Sequence, residues 1–162
     1  CRRVGRVGAA TAVSVPHVDV NFDTASSEIS DSERAKLDES LSKINAVLDR
    51  VERTLLSFAE RGILASPPRP RLYVNGHTDT VGGDPDNLTL SRSRARAIAT
   101  YFHQRGFKMP TYFAGCGERQ LRIKTADNTD EARNRRADYT LALESPPLPS
   151  GIAWQPLNPK LR

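Results

Sequence analysis

Two side chains of opposite charge stand out in the stretch 75–97, NGHTDTVGGDPDNLTLSRSRARA. Asp79 follows a β-rich run, Arg71-Leu72-Tyr73-Val74, and closes the sequence Gly76-His77-Thr78-Asp79. A turn-rich loop comes next, Gly82-Gly83-Asp84-Pro85-Asp86-Asn87, and the spacing then predicts a helix opening near Ser91. Ser91 is a good N-cap type, which puts Arg94 in the first helical turn. Arginine is unfavourable at the positive end of a bare helix and becomes favourable if an anion lands there. An acid on a strand end and a base on a helix start can hold a zwitterion, the acid taking an ammonium and the base a carboxylate. The same spacing also fits an internal Asp79–Arg94 salt bridge.

The order of the motifs carries a resemblance. Gly76-His77-Thr78-Asp79, Asn87, Leu90-Ser91-x-x-Arg94-Ala95 and Asn134-Arg135-Arg136 follow Val18-x-Val20-x-Phe22-Asp23 in one chain. This series resembles the OmpA-like peptidoglycan-binding domain over about residues 18 to 143. The resemblance implies that Asp79 and Arg94 grip the free end of diaminopimelate in the peptidoglycan stem peptide. It implies supporting contacts from Asn87 and from the first-strand end, Asp23 and Thr24. His77, Ser91 and either Arg135 or Arg136 are expected to support the site; the register of the last strand decides between the two arginines. In that family an aromatic often stands at the place of Cys116, so a smaller side chain there alters the nearby wall. On this reading no cofactor is needed, and Asp79→Ala or Arg94→Ala is expected to abolish wall binding without unfolding the domain.

Other chemistries fit less well. His77, Asp79 and Cys116 could be drawn as a nucleophilic set, but nothing in the sequence brings Cys116 to His77 and no oxyanion-hole loop is recognisable. His17, His77 and His103 lack metal-ligand spacing, so no metal site is expected. The clusters Arg92, Arg94, Arg96 and Arg133, Arg135, Arg136 lack the exposed aromatics of a single-strand nucleic-acid reader, and no nucleic acid is expected as partner.

The chain has 162 residues, enough for one domain, with a net charge of +5 that favours acidic partners or simply solubility. No run approaches the ~20 apolar residues that span a bilayer. Cys1 and Cys116 are the only cysteines. A first-residue cysteine fits a lipid-bearing lipoprotein start or an arbitrary boundary, and a membrane link is expected only through a lipid there or through a domain outside this sequence.

The elements that must position the site follow from periodicity. Residues 1–16 read as a linker or edge strand, 17–144 as the domain and 145–162 as a proline-rich tail. Val18, Val20 and Phe22 alternate with polar residues, giving a strand over 17–23. Ser30-x-x-Glu33 reads as a capping box. The helix it opens carries Leu37, Leu41, Ile44, Leu48, Val51, Leu55 and Phe58 in alternating steps of four and three. Such a helix outreaches a short strand, so it must overhang the sheet or break. Its seam fits either packing on its own sheet or a homodimer through the 33–60 helix. Ala95, Ile98, Ala99 and Phe102 form one face of a second helix. Strands are expected at 111–116 and 136–143. The order β-α-β-α-β-β predicts an α+β two-layer sandwich, a mixed four-stranded sheet covered by helices on one face, with a long first helix. The tail is expected to be extended, with Trp154 either docked on the domain or part of a disordered end.

Overall fold

The computed structural model describes residues 12–13, 19–63, 65 and 69–158. The elements run β1 (Ala12–Val13), β2 (Val20–Asn21), α1 (Asp31–Glu60), β3 (Arg71–Gly76), α2 (Asp84–Gln104), β4 (Thr111–Gly115), β5 (Arg136–Ala142) and β6 (Gln155–Pro156). They form an α+β fold with one mixed sheet of six strands in the order β1-β5-β3-β4-β6, and β2 also pairs with β5. The expected four strands are therefore supplemented by two-residue strands at the margins. Only β3 and β4 run parallel, as the α2 crossover between them requires.

Alternation along the strands separates the two faces of the sheet. Leu72 and Val74 of β3, Phe113 of β4 and Ala137, Tyr139 and Leu141 of β5 join one core with α2 residues Ala95, Ile98, Ala99 and Phe102. Phe102 meets Tyr139 edge-on, with centroids 5.4 Å apart. The α1 residues Leu37, Leu41, Ile44 and Leu48 pack in the same core, each contributing roughly 1.5–3 kcal/mol by burial. The seam's first half thus lies on its own sheet.

Beyond Leu48 no residue of α1 is buried, and Leu56 and Phe58 are exposed. A helix of 30 residues is roughly 45 Å long, so its second half overhangs strands of six or seven residues. Ser30 Oγ caps α1 by accepting from Glu33 N at 3.4 Å. The reciprocal half of the expected capping box is replaced, because the buried Glu33 carboxylate accepts from Asn21 N and so ties β2 to α1.

The other face of the sheet, opposite the helices, is not bare. The chain after β5 returns across it. Trp154 packs edge-on against Tyr73 at 4.9 Å, Tyr73 stacks on Tyr112 at 5.4 Å, and Trp154 Nε1 donates to Pro146 O at 2.9 Å. β6 then pairs antiparallel with β4, and Leu157 N donates to Thr111 O.

Two glycines set how closely α2 approaches the sheet. Gly76 and Gly115 are register partners in the parallel pair. A Cβ on Gly76 would lie 1.9 Å from Ser91 O, and one on Gly115 would lie 2.3 Å from Arg92 N. The helix backbone rests where side chains would otherwise stand. Gly76→Ala is accordingly expected to destabilise the domain by about 3 kcal/mol, by forcing α2 outward. Urea unfolding of the two proteins measures this.

Candidate functional site

α2 begins at Asp84, about two turns earlier than the expected opening near Ser91. Gly83, extended at φ −88° and ψ 150°, is the N-cap, a proline follows in the first turn, and Asp84 and Asp86 lie at the positive end. The supposed loop 84–87 is helix. Ser91 is therefore no cap. It is wholly buried, donates to Leu88 O at 3.0 Å and accepts from Gly117 N at 2.8 Å, fastening α2 to the turn after β4. Arg94 sits in mid-helix, so the helix N-terminus plays no part in its surroundings.

Arg94 is 0% exposed. Its Nη1 donates to His77 O at 2.9 Å, its Nη2 to Asp23 O at 3.0 Å and its Nε to Ser26 O at 2.8 Å. Phe22 lies under the guanidinium, 5.2 Å from ring centroid to Cζ. Among the described residues no carboxylate reaches Arg94 within ion-pair distance, so the internal Asp79–Arg94 bridge is not formed. The buried cation donates all its hydrogen bonds among the described residues to carbonyls. Burial lowers its pKa to about 10; the nearby Asp79 carboxylate opposes this and Arg135 adds to it. The group stays charged at neutral pH. Guanidinium has five N–H groups and three are bonded here, leaving two for a further acceptor.

Asp79 is 4% exposed and takes its direct partner from the residue just before β5. Arg135 Nη1 donates to Asp79 Oδ2 at 2.8 Å and also to Asp130, while Arg135 Nε donates to Phe22 O. Of the two candidate arginines, Arg135 faces the site. Burial opposes its charge, but the bonds to Asp79 and Asp130 outweigh this and raise its pKa. Asp79 Oδ1 receives only a long 3.4 Å bond from Val81 N. Arg136 points to the other face, where its Nη2 donates to Gln120 O and its Nε lies 3.8 Å from Asp138.

The remaining expected residues are spread around this centre. Asp23 and Thr24 have exposed side chains in a turn closed by Ser26 N donating to Asp23 O, with Ala25 at φ 54°. Asp23 reaches the site through its carbonyl. Asn87 is buried, and its Nδ2 donates to Glu118 at 2.8 Å. His77 gives its carbonyl to Arg94 and its Nε2 to an interaction with Asp138 at 3.1 Å, while its Nδ1 has no hydrogen-bond partner. Thr78 Oγ1, beside Asp79, is likewise buried without one. Sequence reasoning missed Ser26, Thr78, Glu118 and Asp130. Of these only Asp130, in an acidic run just before Asn134-Arg135-Arg136, left a readable signal.

Cys116 is buried, with its Sγ 3.1 Å from Asn75 Oδ1, and burial raises its pKa. Cys1 lies outside the described residues. Among the described residues no group of three acidic, histidine or cysteine side chains could hold a metal ion.

Fold and site together define a two-layer domain with a buried acid and base between strand and helix. The OmpA family profile matches residues 21–135, and the chain belongs to that family. No curated protein matches it in sequence. Among solved structures it resembles the peptidoglycan-associated lipoprotein of Burkholderia pseudomallei, at 22% identity and a TM-score of 0.54, covering 76% of this chain and 88% of that one. It also resembles the C-terminal domain of Helicobacter pylori MotB, at 18% identity and a TM-score of 0.51, covering 77% and 84%. The cell wall anchor of the type VI secretion system of Pseudomonas aeruginosa gives 20% identity and a TM-score of 0.51, covering 79% and 81%. At these identities the likeness is one of fold.

Burial corrects one expectation from sequence. Arg94→Ala or Arg94→Met takes the donor from the carbonyls of His77 and Ser26, while Asp23 O keeps Ser26 N, and is expected to lower stability by about 3 kcal/mol. Asp79→Asn keeps the shape and an acceptor for Arg135, and is expected to change stability by under about 2 kcal/mol. Urea denaturation of both variants separates these outcomes.

Proposed function

We propose that the domain is a non-catalytic peptidoglycan anchor working in the periplasm, associated with the outer membrane or cell wall. Its ligand is the free end of diaminopimelate in a stem peptide. One observation carries this reading: Arg94 is a buried cation without a direct carboxylate partner, beside a buried carboxylate whose own cation is shared. A ligand carboxylate would complete Arg94 through its two remaining N–H groups. A ligand ammonium would take Asp79, and Arg135 would keep Asp130 as its counter-ion. The exchange conserves charge at every step, which matters where water is excluded. Thr78 Oγ1 and Asn87 offer hydrogen bonds at the margin. The peptidoglycan-associated and wall-anchoring proteins of similar fold support peptidoglycan as the partner.

Lysine in the stem lacks the second carboxylate, so it would leave Arg94 as it is now. Calorimetric titration is expected to show the tripeptide L-Ala-γ-D-Glu-meso-diaminopimelate binding and the tripeptide L-Ala-γ-D-Glu-L-Lys not binding, since only the first carries a carboxylate beside its free ammonium. Asp79→Asn is expected to weaken binding by about 2–5 kcal/mol, the cost of leaving one charged partner alone. Equal binding of both tripeptides, or an unaffected Asp79→Asn, would sink the assignment of the site.

A second reading coexists with the first. Leu56, Phe58 and Ile63 are 55%, 38% and 63% exposed on and just after the overhanging end of α1. This favours a contact between two copies through that helix. Light scattering should then give a dimer mass that Phe58→Asp returns to the monomer.

A further inference from the structure

A groove of about 1000 Å³ lies between the start of α1 and α2. Its walls are residues 27–29, the start of α1 at Arg34, and Ser93, Arg96 and Thr100 of α2; Leu157 of the returning tail closes one end. Two features make this more than a gap between elements.

The first is unspent positive charge. Arg96 makes no hydrogen bond or ion pair among the described residues, and the one side-chain bond of Arg34 is from Nε to Ile29 O at 3.1 Å. Most other arginines near the sheet have a carboxylate, as Arg105 has Asp38, Arg119 has Asp84, Arg122 has Asp19 and Arg133 has Glu131. The groove's one acid, Glu28, forms no ion pair with either arginine, and His103 adds a further nitrogen base at the rim. Planar guanidiniums beside hydroxyl groups, with Ile29 and Ala97 also in the lining, suit a peptide bearing carboxylates.

The second is position. The groove starts at Ser27, next to Ser26, whose carbonyl holds Arg94. On α2, Ser93 directly precedes Arg94. The groove therefore continues the proposed diaminopimelate site along one helix, and its volume is at the upper end for a site that takes a ligand of several residues.

We propose that this groove is a second subsite, which takes the carboxylate-bearing remainder of the stem peptide on Arg34 and Arg96. The proposal rests on the diaminopimelate reading and extends it from one residue of the ligand to a stretch of it. It gives the domain a way to distinguish wall peptide from the free amino acid.

The test compares free meso-diaminopimelate with the tripeptide L-Ala-γ-D-Glu-meso-diaminopimelate, titrated calorimetrically into the full chain and into the double variant R34Q/R96Q. Both arginines are at the surface, and matched thermal unfolding of the two proteins checks that the fold is kept. The unaltered chain is expected to bind the tripeptide about tenfold more tightly than the free amino acid. The double variant is expected to lose that advantage and keep its affinity for the free amino acid. Tripeptide binding unchanged by the double substitution, or equal affinity of the unaltered chain for both ligands, overturns the subsite while leaving the Asp79–Arg94 site standing. Tripeptide binding that needs Arg34 and Arg96 but survives Asp79→Asn supports the subsite and removes the other site. Binding of neither ligand overturns both.

Discussion

A buried arginine held by backbone carbonyls is the constraint on which this domain turns. Removing a guanidinium from water is costly unless its donors are met. Here they are met by the turn after β2, at Asp23 and Ser26, and by the end of β3, at His77. Those segments are remote in sequence, so the charge of Arg94 fixes three parts of the chain relative to one another. A side chain that is expected to touch ligand is therefore also a structural member of the domain. Affinity and stability share one residue, and evolution cannot alter either through it alone.

The depth of that arginine depends on what is missing opposite it. Gly76 and Gly115 stand side by side in the parallel pair and let the Ser91 turn of α2 sit against the sheet. Ser91 then bonds the turn at Gly117, which also accepts from Thr78 N through its carbonyl. Asp79 is thus placed from the same junction that places Arg94. Around them the charges balance in pairs that can be exchanged: Arg135 has two acids, and Arg94 has none in direct contact. This is preorganisation of a kind that suits a charged ligand, because the polar groups are already oriented and dry.

Much of the fold was legible in the sequence because periodicity reports burial. Leu72, Val74, Ala95, Ile98, Phe102, Tyr139 and Leu141 fell where their spacing put them. The start of α2 was misread because Gly82-Gly83-Asp84-Pro85-Asp86 carries both turn and helix-start signals. Proline in the first turn, after a glycine cap, belongs to the latter. The pairing of Asp79 with Arg135 was not legible, since it depends on the register of β5 against β3, which places Asn75 opposite Asp138 and Gly76 opposite Ala137. Ser26 contributes a carbonyl, and a carbonyl leaves no trace in residue type. The return of the tail was open in the sequence, and the aromatic contact of Trp154 with Tyr73 supplies its reason.

The last strand has a consequence for how this protein behaves in a crowd. β4 would otherwise present a row of open amides, and such a row is a template for another chain to extend the sheet. β6 covers it with two residues, one of them Pro156, opposite Tyr112. Proline has no N–H to offer outward, so the capped margin cannot template another strand at that position. At the opposite margin β5 is met by β1 and β2, each again two residues long. Growth of the sheet from molecule to molecule is thereby discouraged on both sides, so the domain can be concentrated without its sheets joining.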